Sequence, residues 1–146
     1  MLYSSANTTH EKTKIASMKP KNSIWLIVLI LLSFEKFVQH MFVTYAFYVD
    51  LQGIRSTVVV NHDILMISGF IVGILFLINI LFLYQRKRFS IILLFFLALF
   101  DFIGEFIAQG TLAIEIMVSF IVATAILLII IFKGRSLVEN TKPPYI

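Results

Sequence analysis

The 146-residue chain contains no cysteine. That excludes disulfides, thiolate-ligated metals, Fe–S clusters and cysteine nucleophiles together, and leaves the redox environment open. Charge is scarce: Asp, Glu, Lys and Arg make up 14% of the residues, against about a quarter in a soluble domain. No stretch is long enough for a soluble domain, because only residues 1–22 and 133–146 lie outside the apolar runs and their connections. Histidine is rare too. Only His40 falls inside an apolar run, which excludes a bis-histidine haem within one chain. No internal repeat is visible, since the two halves match in hydropathy but not in polar positions.

Apolar residues are in excess, at 60% of the chain with a mean hydropathy of +0.97. Four runs account for the excess, at about 23–49, 64–84, 89–108 and 112–132, each long enough to cross a bilayer as a helix. The fold class that follows is all-α: an integral membrane four-helix bundle in 23–132, with a polar tail before it and a basic tail after it. Asn7-Thr8-Thr9 fits a glycosylation sequon, read here as a chance match because the topology puts it on the wrong side of the membrane. The first apolar residues resemble the core of a signal peptide behind a basic segment. No small-x-small cleavage site follows, however, and the apolar pattern resumes, so one long helix is the better reading. Asp50-Leu51-Gln52-Gly53 ends that helix, with Gly53 as the expected left-handed cap. Asn61 or Asp63 caps the next.

Orientation follows from the basic residues. Four lie in the N-terminal tail, three in residues 85–88 and three after residue 132, which makes ten of the twelve Lys and Arg. The positive-inside rule then puts both termini in the cytoplasm, and the expected location is a prokaryotic plasma membrane. The same distribution explains the net charge of +4 without nucleic acid. The turn at Gln109-Gly110-Thr111 is minimal and makes the third and fourth runs antiparallel neighbours.

Against this background the polar residues inside the runs stand out. Residues 97–109, LALFDFIGEFIAQ, carry Asp101, Glu105 and Gln109 at i, i+4 and i+8, and steps of four advance only about 40° around a helix. They form one polar stripe. Residues 33–44, SFEKFVQHMFVT, carry Glu35, Lys36, Gln39, His40 and Thr44 in the first run. At about 1.5 Å per residue, Lys36 lies about 20 Å from Ser23 and Asp101 about 17 Å from Ser90. Glu105, His40 and Glu115 of the fourth run fall at the next level outward. A charge at the centre of a membrane helix costs roughly 2.5–3.5 kcal/mol, so these groups are expected to turn inward and meet.

That layer holds Glu35, Asp101, Glu105 and, at its edge, Glu115, against one base, Lys36. Pairing Lys36 with Asp101 leaves carboxylates to be neutralised by protonation, by His40 opposite Glu105, by Arg55 from the outer connection, or by a bound cation. Ionisable residues inside a membrane mark function by default. The expected activity is therefore binding or relay of protons or another cation, with Glu35, Lys36, His40, Asp101, Glu105 and Glu115 as site residues. Gln39, Thr44, Gln109 and Arg55 are expected to support them by hydrogen bonding. A metal would take His40, Asp101 and Glu105, although no Glu-x-x-His or His-x3-His spacing reinforces that set. Ser33, Ser68 and Ser119 have no base placed for a triad, and an enzyme is disfavoured.

The competing reading is a non-catalytic subunit of a larger membrane complex, its polar layer fixing helix register or meeting a partner. Beyond the bilayer, the expected partners are a second copy or such a complex. Gly69 and Gly73 form a GxxxG face suited to oligomer contact, and Gly104 with Ala108 a second small-residue pair.

Overall fold

A computed structural model describes residues 23–109 and 117–139, and it is helical throughout its regular elements. The four long helices are α1 (Ser23–Val49), α2 (His62–Tyr84), α3 (Arg88–Gln109) and α4 (Met117–Glu139). Each contains an apolar stretch of membrane-crossing length. The N-terminal tail with its sequon, the Gly110-Thr111 turn, residues 112–116 including Glu115, and residues 140–146 lie outside the described residues.

The ends of the helices follow from local chemistry. Asp50 takes a left-handed φ of 52° directly after α1, a conformation that Asp tolerates better than most side chains. Gly53, the expected cap, is also left-handed (φ 73°) but sits three residues on, inside a short kinked 3₁₀ segment, Leu51–Thr57. The α1 carbonyls are closed by Arg55, whose Nε and Nη2 donate to the carbonyls of Phe47 and Tyr48, each at 2.8 Å. A guanidinium there satisfies orphan acceptors and complements the negative end of the helix dipole. The Asn61 side chain accepts from the Asp63 N–H at 2.8 Å and caps α2.

At the other end of the bundle, α2 turns into α3 through three residues. The Lys87 N–H donates to Phe82 O and the Arg86 N–H to Leu83 O, with Arg86 left-handed at φ 54°. These are the two bonds of a Schellman motif.

The helices pack in ring order, α1 on α2, α2 on α3, α3 on α4 and α4 on α1, so α1 and α3 are diagonal partners. The bundle is apolar outside. On α1, Ile24, Leu31, Phe34, Val38, Phe42 and Tyr45 are exposed while Ser33 and Lys36 are fully buried. A surface of this kind suits lipid and not water. The apolar core, with Leu29, Leu83, Leu94 and Ile126, fills mainly the half nearer the basic α2–α3 turn.

Two details depart from the sequence reading. Gly69 and Gly73 face α1 and not an oligomer partner. A Cβ on Gly73 would overlap Met41 Cε and approach His40 Cβ to 3.0 Å, and one on Gly69 would meet Thr44 Oγ1 at 3.3 Å. The small residues are consumed by close packing within the chain. Second, α4 continues past residue 132 to Glu139. Gly134 and Leu137 are buried there, and a Cβ on Gly134 would lie 3.6 Å from Ile91 Cγ2. Lys133 and Arg135 are thus exposed residues of the continued α4 helix.

Candidate functional site

The inward face of α1 is set by spacing. Ser33, Lys36, His40 and Thr44 follow at intervals of three, four and four, which keeps them on one side of the helix. On α3 the corresponding inward residue is Asp101. Lys36 Nζ lies 2.6 Å from Asp101 Oδ2, and the two side chains are 1% and 7% exposed. Lys36 Nζ also donates to Ser119 Oγ of α4 at 2.7 Å. His40 Nε2 lies 2.9 Å from Asp101 Oδ1. One carboxylate therefore receives a lysine on one oxygen and an imidazole on the other, both reaching across the diagonal from α1. Neither approach to the carboxylate has the directionality of a good hydrogen bond, so both are best described as charge contacts, with the firm directional bond running from Lys36 to Ser119.

Each component is held by its surroundings. The His40 ring stacks on Phe76 of α2, with centroids 5.7 Å apart, and its Cβ and Nδ1 lie against Gly73 and Gly69 of the same helix. Beside the network, Phe102, Phe106 and Phe120 form an aromatic trio between α3 and α4, with Phe102 and Phe120 centroids 4.7 Å apart. Phe102 and Phe120 each follow directly after a network residue, so their rings close the α3–α4 seam at that level. Ser33 donates to the Leu29 carbonyl at 2.7 Å, which satisfies its proton inside the helix.

The remaining expected residues are placed as follows. Gln39 Nε2 donates to Glu35 Oε1 one turn away, and Glu35 Oε2 and Gln39 Oε1 are buried without a hydrogen-bond partner among the described residues. This pair sits on the flank of α1, about 100° round from Lys36 and His40, and outside their contacts. Glu105 is half-buried one turn beyond Asp101, and the carboxylate that His40 contacts is that of Asp101. Thr44 Oγ1 is buried on the α2 side near Gly69. Arg55 does not reach the layer, because its guanidinium is committed to the end of α1. Gln109 ends α3, and Ala108 accepts a backbone bond from Val59 at 3.3 Å, which ties the α1–α2 connection to α3. Gly104 has no atom within 4 Å of the position a Cβ would take, among the described residues.

No group of three metal-ligating side chains gathers among the described residues, so His40, Asp101 and Glu105 do not form a metal centre. The Lys36 ammonium already occupies the cation position on Asp101.

Two participants were not marked out by the sequence. Ser119 read only as one of several helix hydroxyls; its level, one helix away from Lys36, was the available signal. Asn79 of α2 is 0% exposed, and neither side-chain atom has a hydrogen-bond partner among the described residues. An amide in a chargeless apolar run escapes a search for charge.

Four apolar helices around a buried lysine–aspartate contact define a small integral membrane protein. No family model, curated protein or solved structure matches the chain.

Proposed function

We propose that this is a proton-handling membrane protein in which His40 and Asp101 take up and pass a proton inside the bundle, with Lys36 holding Asp101. The observation that carries the reading is the shared carboxylate of Asp101, with Lys36 at one oxygen and His40 at the other. With the imidazole neutral, an ammonium and a carboxylate balance. When His40 is protonated, the trio carries one positive charge more, and Asp101 stabilises the imidazolium directly. Histidine is the side chain whose charge changes most readily near neutral pH. Lys36 plays a fixed role: it holds Asp101 in place and excludes a metal ion, while Ser119 orients its ammonium. The charged trio faces the interior, as functional ionisable groups in membranes do.

In this reading the basic α2–α3 turn marks the cytoplasmic face and both termini lie on that side. The test is proton movement into liposomes containing the purified protein, driven by an imposed potential. Uptake well above protein-free liposomes supports the reading, and none above that background removes it.

A second reading, a subunit of a larger membrane complex, is favoured by Gly104, where nothing among the described residues lies within 4 Å of the position a Cβ would take. A small residue on a helix face allows close approach by another helix. Native mass spectrometry of gently extracted protein distinguishes the two: stoichiometric association with other chains favours the subunit, a single-chain species or homo-oligomer the self-contained relay.

A further inference from the structure

Asn79 is fully buried within one chain, so neither lipid nor a partner helix can reach its amide. It lies on the inward face of α2 with Val72, Phe76 and Leu83. The register of α1 against α2 fixes its level. Gly73 faces the Phe37 carbonyl, His40 and Met41. Six residues further along α2, the antiparallel partner on α1 moves back by six, to about residues 31–35. The buried residue there is Ser33. Its hydroxyl proton is spent on Leu29 O, but its oxygen retains acceptor capacity.

The neighbouring helices bring small side chains to the same region. Ala98 lies one turn before Asp101 on α3, and Ala123 lies four residues after Ser119 on α4; both are fully buried. The layer next to the ion pair, on the side of the basic turn, thus combines a carboxamide, a hydroxyl and two methyl-sized side chains. Lys36 stands one turn away from Ser33, its ammonium in charge contact with Asp101 and one N–H donated to Ser119.

We infer that Asn79 and Ser33 form an internal hydration site between the Lys36–Asp101 contact and the basic end of the bundle. Water is the ligand class that fits. It is small enough for a site closed on all sides, and it supplies both the donor and the acceptor that an amide requires. It bonds to Asn79 and to the Ser33 oxygen, and it gives the ion pair a hydrogen-bonded neighbour toward the basic end. Thr44 and the Gly69 notch lie on the opposite side of His40, so polar groups then occur at successive levels on both sides of the trio.

The link to proton movement rests on the proposed function; the hydration site itself does not. The first test is an experimental structure of the full chain in lipid at a resolution that shows ordered water. The expected result is water within hydrogen-bonding distance of Asn79 Oδ1 or Nδ2 and of Ser33 Oγ. A dry amide packed by side chains alone overturns the inference. The second is potential-driven proton uptake by Asn79→Leu, which keeps the branched shape and removes the polar atoms. At least a tenfold loss with the bundle intact supports the role in access. Unchanged uptake in this variant refutes that role. If the wild-type chain moves no protons, the relay fails while the density alone decides the hydration site.

Discussion

Lys36 of α1 and Asp101 of α3 meet at 2.6 Å across the diagonal of the bundle, both nearly sealed from the outside. The helices that carry them are not packing neighbours, so the contact ties together the two elements that the ring of helix–helix interfaces leaves apart. Where lipid surrounds the bundle, apolar contact supplies little preference for one helix arrangement over another. A diagonal charge contact supplies that preference, because any rotation of α1 or α3 would leave both groups uncompensated.

The first prediction concerns coupling between the two. Lys36→Met or Asp101→Leu alone leaves a buried charge without its partner and should destabilise the bundle by about 3–5 kcal/mol. The double variant Lys36→Met/Asp101→Leu should recover most of that loss. Unfolding of all four proteins in one detergent gives the coupling. Additive effects would mean that the contact does not hold α1 to α3.

A second prediction separates two glycines that look alike in sequence. Gly73→Val forces a side chain against Met41 and His40 and should cost about 1–3 kcal/mol. Gly104→Ala meets nothing described within 4 Å and should be neutral or stabilising by up to about 1 kcal/mol through helix propensity. Thermal unfolding of the two variants checks this. A larger loss at Gly104 than at Gly73 would reveal an interface on α3 and contradict the α1–α2 assignment.

Arg55 gives a third. Arg55→Ala removes both bonds to the end of α1. A cost of about 0.5–1.5 kcal/mol is expected, with proton uptake unchanged. Loss of uptake at unchanged stability would place the guanidinium in the relay after all.

The outline of the fold was legible because apolar run length and basic residues define membrane helices almost independently of packing. α1 ends where the polar Asp50–Gly53 stretch begins. The shared level of Lys36 and Asp101 was accessible too, since helical rise is fixed and depth can be counted. What sequence could not give was direction around the helix axis. Gly69 and Gly73 present the same pattern whether they meet α1 or another chain. Glu35 is adjacent to Lys36, yet the 100° step between neighbours sends it to the flank. The extension of α4 through Lys133 and Arg135 depends on Gly134 and Leu137 finding α3, which hydropathy does not record. Asn79 stayed hidden because a single uncharged amide barely perturbs a hydropathy profile, although burial leaves its donor and acceptor in need of partners.

The most direct measurement of the central claim is potential-driven proton uptake by liposomes carrying wild-type protein or His40→Gln, each with its thermal stability measured alongside. Glutamine keeps polar contact with Asp101 and leaves Lys36 in place, but it cannot carry the proton. Uptake is expected in the wild type, with at least a tenfold loss in His40→Gln at comparable stability. Equal uptake in both would contradict the relay, and would leave the Lys36–Asp101–His40 cluster as a structural tie alone.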